Sequence, residues 1–258
     1  MERKYLFDQV VADYANARPD YPQALMDDFF QISKLKKPVN VLEIGSGTGQ
    51  ATDLLLKNQM VVTVVEIGEK MIAHLKQRFA DNPDISYHHM PFESFEAPSN
   101  SFDLIFAASS FHWVDPELGF KKAHYLLKDN GYLLLCWNSK TDQSNDSELF
   151  KEIAKVYEKI APEMSKTNQK MFQHEKRIED ITKEGLFANP LYLTYPYERI
   201  LNAEDYIRLL GTYSDHIALD SKKRESLYYS IMDLIKQNND EILLKYEVKT
   251  YLSKKRSI

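Results

Sequence analysis

Short apolar runs alternate with helical patterns through the first half of the chain. Residues 39–44, 61–66, 85–88, 102–107 and 132–137 are mostly rich in Val, Ile, Leu, Phe or Tyr. Runs of this length predict strands of a sheet buried on both faces. Between them, residues 51–58 and 69–80 place apolar side chains at helical spacing. The clearest helix follows Asp115, which can cap it. Pro116 suits its first turn, Phe120, Ala123 and Leu127 share a face, and Gly131 is expected to end it. Strands alternating with crossover helices define the α/β class with a doubly wound, mostly parallel sheet.

Past residue 140 the rhythm changes. Residues 140–147 are polar; Phe150, Ile153, Tyr157 and Ile160 then mark one helix, and Ile178 with Ile181 marks another. Residues 140–190 therefore read as a helical insertion. A strand interrupted by Pro196 is expected over 191–200, helices over 203–210 and 221–237, and a last strand over 243–252. In that last run Leu244, Tyr246 and Val248 alternate with Lys245, Glu247 and Lys249, the half-exposed pattern of an antiparallel or edge strand.

Composition and charge mainly narrow the choices. The chain has 258 residues, 43% of them apolar and 28% charged, enough for a sizeable core. Its net charge of −5 provides no general basic field, so nucleic acid is not an expected partner. Lys254-Lys255-Arg256 reads as three solubilising charges at a frayed terminus. No apolar run approaches the roughly twenty residues that span a bilayer. Met1-Glu2-Arg3-Lys4 opens no signal-like segment, and Cys136 is the single cysteine, so a reducing cytoplasm is the expected location.

Three of only eight glycines sit at positions 45, 47 and 49, in Val41-Leu42-Glu43-Ile44-Gly45-Ser46-Gly47-Thr48-Gly49-Gln50. This loop joins the first strand to the first helix, where open α/β sheets bind nucleotide-type cofactors. The second strand ends in Glu66, whose carboxylate suits both hydroxyls of an adenosine ribose. A dinucleotide fingerprint would need glycine where Gln50 stands, and no Gly-Lys-Ser/Thr follows for a phosphate loop. The histidines His88 and His89 are neighbours on a strand and point to opposite faces, a poor metal pair, and no metal site is expected. Asp103 is expected to fix backbone at the start of the fourth strand, and Cys136 to pack inside the fifth.

At Glu43, Gly45, Gly47 and Gly49 the sequence resembles the class I S-adenosylmethionine-dependent methyltransferases. Tyr14-Ala15-Asn16-Ala17-Arg18-Pro19-Asp20-Tyr21-Pro22, Phe111-His112-Trp113 and Thr212-Tyr213-Ser214 are similar to the type 11 branch that includes trans-aconitate methyltransferases. The resemblance implies a Rossmann-like, seven-stranded sheet with an antiparallel edge strand and the helical insertion as a lid. It implies a single domain over 1–258, with cap helices in 1–38, a cofactor-binding core in 39–139, the insertion in 140–190, and strands and lid helices in 191–258. S-adenosyl-L-methionine is the implied cofactor and S-adenosyl-L-homocysteine the product. Glu43 would suit the ammonium group and Glu66 would hold the ribose. Ile67 and Met71 would line the adenine, with Phe92 and Glu93 at its edge. Tyr14 and Arg18 would close over the methionine end, and Ala107 would be a further cofactor contact. Pro91 stands where many relatives have an aspartate for the adenine amine. His112, Trp113 and Tyr213, with Ser214, would form the substrate pocket.

Methyl transfer from a sulfonium is an in-line displacement, and the protein's task is alignment and exclusion of water. A carboxylate attacks as it stands, whereas a phenol, an ammonium group or a carbon acid must first lose a proton. The expected activity is methylation of a small molecule, a carboxylic acid first and a quinone precursor or other aromatic acceptor second. An NAD-dependent oxidoreductase, a non-enzymatic module and a macromolecular substrate are the competing readings. A monomer or homodimer is expected.

Overall fold

The computed structural model describes residues 6–141, 147–165 and 174–257. Met1-Glu2-Arg3-Lys4 and part of the polar stretch 140–147 lie outside the described residues. The chain runs through α1 (Val11–Ala17), α2 (Gln23–Ser33), β1 (Val39–Ile44), α3 (Gln50–Lys57), β2 (Met60–Glu66), α4 (Glu69–Arg78), β3 (Ile85–His89) and β4 (Phe102–Ala108). It continues with α5 (Pro116–Leu126), β5 (Leu127–Lys140), α6 (Glu148–Ile160), α7 (Pro162–Ser165), α8 (His174–Thr182) and β6 (Leu191–Leu201). The last elements are α9 (Ala203–Leu210), α10 (Ser214–Ile217), α11 (Ser221–Gln237) and β7 (Ile242–Lys254). Among the described residues, no helix is long and apolar enough to cross a membrane.

Two compact units result. The strand unit is Pro19–Asn138, His174–Tyr195 and Val248–Ile258; the helical unit is Met1–Arg18, Ser139–Gln173 and Pro196–Glu247. The stretch 140–190, expected as one helical insertion, is thus divided: α6 and α7 belong to the helical unit and α8 to the strand unit.

All seven strands contribute to the strand unit, in the order β3-β2-β1-β4-β5-β7-β6. β1 pairs in parallel with β2 (Val41 with Val62) and with β4 (Leu42 with Ile105), β2 with β3, and β4 with β5 (Ile105 with Leu133). Val39, Val41, Leu42, Val62, Leu104, Ile105 and Leu133 are fully buried, which is why these strands read as continuous apolar runs. Lys255 N donates to Gly131 O and Thr141 N to Lys245 O, so β7 runs antiparallel to β5. The antiparallel strand therefore lies at the expected end of the sheet, one place in from its margin. β6 takes the margin, where Pro196 removes no central ladder bond.

Gly131 does not end the preceding helix. α5 stops at Leu126, and β5 begins at once, five residues before the expected strand. The polar residues Lys128, Asp129 and Asn130 look like a turn in sequence but lie within β5 beside a register irregularity opposite Phe102 and Leu104. Asp103 fixes this corner: Oδ2 accepts from Asn40 N at 2.9 Å, and both oxygens accept from Lys128 Nζ at 2.9 Å. A Cβ on Gly131 would meet Leu127 Cδ2 and Lys128 O at 2.9 Å and Asp103 O at 3.2 Å. Gly131→Ala is therefore expected to destabilise the protein by about 1–3 kcal/mol, the usual cost of overpacking. An unchanged urea midpoint would contradict this.

The carboxyl-terminal charges are not frayed. Lys255 Nζ donates to Leu127 O at 2.6 Å and Asn100 Oδ1 at 2.9 Å, and Arg256 N donates to Leu186 O. Cys136 is fully buried in β5, and burial pushes its thiol pKa up, as befits a packing residue.

The helical unit has its own core, where α6, α9 and α11 bury Ile153, Tyr206, Leu209, Leu227, Ile231 and Ile235. Side-chain caps begin each helix: Ser147 accepts from Phe150 N, Asn202 from Asp205 N, and Asp220 from Lys222 N and Lys223 N.

Candidate active site

The turn between β1 and α3 sits where the sheet order reverses, since β1 is flanked by β2 on one side and β4 on the other. Open α/β sheets leave a crevice at such a point. Gly45, Gly47 and Gly49 have φ values of 67°, 57° and 89°, in the left-handed region. A Cβ at Gly45 would come within 2.6 Å of Ser110 Cβ, and one at Gly49 within 2.7 Å of the Phe79 ring. Glycine is thus required there by backbone and by space. Ser110 Oγ donates to Ile44 O, and Arg78 Nη1 donates to Thr48 O at 2.9 Å, holding the loop from both flanks.

The two acids are placed differently. Glu66, at the end of β2, accepts from Gly47 N through Oε2 and from Gly68 N through Oε1, each at 2.9 Å. It thereby ties the glycine loop to the turn before α4. Glu43 is fully buried, with Thr52 Oγ1 donating to Oε2 at 2.7 Å. Its Oε1 has no hydrogen-bond partner among the described residues. Burial pushes the Glu43 pKa from 4.5 to about 8; the Thr52 hydrogen bond opposes the rise and the nearby Glu66 charge adds to it.

The remaining expected cofactor residues of the strand unit spread around this point. Met71 in α4 and Ala107 in β4 are buried, and Ile67 is half-buried, its carbonyl facing His89 Nε2 at 3.1 Å. Phe92 is buried in the core cluster. Glu93 is drawn to the start of α5: Oε1 accepts from Asp115 N at 3.2 Å and its carbonyl from Lys122 Nζ at 2.8 Å.

Past β4, a short helical turn spans Phe111–Trp113. The His112 and Trp113 rings lie 4.7 Å apart, tilted by 43°. Trp137 Nε1 donates to His112 Nδ1 at 3.2 Å, and the Arg177 guanidinium lies 4.3 Å from the Trp137 ring centroid. An indole N–H can only donate, so Nδ1 must be the unprotonated nitrogen and Nε2 carries the proton. Burial, aided by the Arg177 charge, lowers the His112 pKa to about 4, so the ring is neutral at neutral pH. The Arg177 side chain has no ion pair or hydrogen bond among the described residues.

Tyr14, Arg18 and Tyr213 belong to the helical unit and come together there. The Arg18 guanidinium lies 4.8 Å from the Tyr14 ring centroid and 4.4 Å from that of Tyr213, and Nη2 donates to Thr212 O at 2.6 Å. Glu43, the glycines, Glu66, His112 and Trp113 gather in the strand unit instead.

Sequence pattern missed Trp137, Arg177 and Lys140. Trp137 counts as strand core, and Arg177 precedes the apolar Ile178 of an unremarkable helix. Lys140 stands at the start of a polar run. Contacts between residues tens of positions apart leave no local signal.

A Rossmann-like sheet with an acidic glycine loop at its switch point is the arrangement that the resemblance to class I methyltransferases implies. The family model described as methyltransferase domain (Methyltransf_11) matches residues 42–135, from β1 into β5. The chain is accordingly an S-adenosylmethionine-dependent methyltransferase carrying a type 11 domain. It is 28% identical over 251 residues to an uncharacterised methyltransferase-like protein of Schizosaccharomyces pombe, covering 95% of this chain and 93% of that one. A malonyl-[acyl-carrier protein] O-methyltransferase of a Paenibacillus species is 24% identical over 221 residues, with 80% and 79% covered. Among solved structures, a proposed methyltransferase from an antibiotic biosynthesis pathway of Anabaena variabilis superposes with a TM-score of 0.63 at 14% identity, covering 91% and 98%.

Proposed function

We propose that this methyltransferase esterifies a small organic acid. The reading rests on the His112 tautomer. With Nδ1 engaged by Trp137 and the proton on Nε2, His112 offers a ligand a donor and has no lone pair free to take a proton. A base with a pKa of about 4 would in any case be weak at neutral pH. The acceptor must then arrive as a nucleophile, which an ionised carboxylate does.

The buried residues suit the cofactor. Glu43 Oε1, without a hydrogen-bond partner among the described residues, would accept from an ammonium group, and the anchored Glu66 carboxylate would hold a ribose diol. Ile67, Met71, Phe92 and Ala107 offer the apolar surface an adenine needs. When bound, S-adenosylmethionine supplies a methyl group on a positive sulfur. The residues of this chain bind and align: His112 Nε2–H and the Arg177 guanidinium orient the carboxylate, and Trp113 and Trp137 exclude water. In the transfer a C–O bond would replace the cofactor's C–S bond, the carboxylate's negative charge would cancel the positive charge the cofactor supplies, and no proton would need to move. The relative that O-methylates malonyl-[acyl-carrier protein] supports an oxygen acceptor.

The test is incubation with methyl-labelled cofactor and a pool of organic acids, phenols and quinone precursors. Label is expected in acids, as esters that dilute alkali cleaves; label confined to alkali-stable ethers, protein or RNA would overturn the reading. At saturating cofactor, kcat/KM is expected to stay flat from about pH 6 to 9, because neither a carboxylate nor His112 titrates there. His112→Ala is expected to lower kcat/KM by about 10²-fold while leaving S-adenosylhomocysteine affinity unchanged, the loss of one oriented donor.

A further inference from the structure

The helical unit carries a second cation with no ion-pair partner among the described residues. Lys140, the last residue of β5, is accessible to solvent, and its Nζ donates to Tyr206 Oη at 3.3 Å. The ammonium lies 5.3 Å from the Tyr206 ring centroid and 5.8 Å from that of Phe150. No carboxylate lies within ion-pair distance of it among the described residues, and Asp215 acts on it only at longer range. Though the side chain is reached by solvent, the many protein atoms packed around its ammonium press its pKa down by desolvation; Tyr206, Tyr213 and Asp215 outweigh this and raise it, so the charge is retained.

Tyr206 and Tyr213 are the phenols that act on this cation, and further phenols adjoin Tyr213. Tyr213 and Tyr246 share a hydroxyl–hydroxyl contact of 3.4 Å, in which one donates and the other keeps its proton for another acceptor. Tyr197 and Tyr246 stack at 5.4 Å and 12°. Beside them the Tyr228 hydroxyl and His216 Nδ1 are buried without hydrogen-bond partners among the described residues. A cation with hydroxyl donors and flat aromatic walls matches an anion carried on a flat body. Inorganic phosphate would leave the walls unused.

We propose that Lys140, with the hydroxyls of Tyr206 and Tyr213, is the cationic end of a site in the helical unit that takes a small, flat carboxylate of the benzoate type. The site uses no residue of the strand unit, and its argument does not draw on the esterification proposed above.

The test is calorimetric titration of the full chain with benzoate, acetate and inorganic phosphate, in parallel with S-adenosylhomocysteine. Benzoate is expected to bind more tightly than acetate or phosphate. Lys140→Met is expected to weaken benzoate at least about tenfold, and Lys140→Arg to stay within about threefold, the difference between removing and keeping the charge. Tyr213→Phe, which keeps the ring, is expected to cost about threefold to tenfold, one hydrogen bond. S-adenosylhomocysteine affinity and thermal midpoint should match wild type in Lys140→Met and Lys140→Arg. Equal benzoate affinity in wild type and Lys140→Met would overturn the proposal, as would phosphate binding as tightly as benzoate, or no probe binding the wild-type chain. None of these outcomes bears on whether acids are methylated, which the labelled-cofactor experiment reads separately.

Discussion

Replacing Glu66 with alanine is expected to weaken S-adenosylhomocysteine binding by about 100-fold, the loss of about 3 kcal/mol. The carboxylate ends β2 beside the glycine loop, with Gly47 N and Gly68 N each 2.9 Å from one of its oxygens. Two amides hold it in one orientation, so a ribose diol placed there meets a fixed acceptor rather than a mobile side chain. Hydrogen bonds to a charged acceptor contribute about 1.5–3 kcal/mol each. Glu66→Gln keeps the shape but turns one oxygen into an NH₂ facing a backbone N–H, and a loss of at least about tenfold is expected. Part of either loss would come from loosening the Gly47 amide. A 2′-deoxy analogue of S-adenosylhomocysteine separates the two causes: it should bind wild type more weakly than the parent compound, and Glu66→Ala equally. If removing the 2′-hydroxyl cost the variant as much as the wild type, Glu66 would not be the ribose acceptor.

The parts of this site that local pattern exposes are those set by local physics. β1, β2 and β4 are buried on both faces, so their apolar runs end within a residue or so of the strands themselves. The glycine loop declares itself because left-handed backbone and the close approach of Ser110 and Phe79 admit no side chain. β5 carries no such local signal at its start. Its Lys128-Asp129-Asn130-Gly131 start has turn composition, and it is strand because Asp103 and the distant Lys255 bind that corner. The tautomer of His112 is set from Trp137, and the charge beside it comes from Arg177 on α8. Tyr157, Tyr206, Tyr213, Tyr228 and Tyr246 are scattered over the sequence on four different elements and an interhelical turn, so no spacing announces the polar cluster they build. Resemblance could supply the cofactor residues one by one, but not these long-range partners.

Glu43, as the proposed partner of the cofactor's ammonium group, is expected to make cofactor binding a proton-release reaction. Its carboxyl is buried at a pKa of about 8, so near neutral pH most of it carries a proton. Thr52 donates to Oε2, which leaves the proton on Oε1, the oxygen without a partner among the described residues. An ammonium group brought to Oε1 favours the ionised form, and the proton must leave. S-adenosylhomocysteine binding at about pH 7 is therefore expected to release close to one proton, read as a difference in binding enthalpy between phosphate and Tris buffers. Affinity should rise about tenfold per unit between about pH 6 and 8, while Glu43 is mostly protonated, and then level. The protein alone should show the reverse trend. A carboxyl whose folded pKa lies above its unfolded value costs nothing below about pH 4.5; stability then falls as pH rises toward 8, by about 1.4 kcal/mol per unit at most. Glu43→Gln removes that slope, because an amide does not titrate. The variant is expected to gain on wild type by several kcal/mol between about pH 5 and 8.5 in urea unfolding, and to bind S-adenosylhomocysteine at least about 100-fold more weakly at the upper end. Comparing wild type with the variant cancels the other titrating groups. A difference that stayed constant with pH would mean that Glu43 is already ionised in the protein alone, and the proton release would then be absent too.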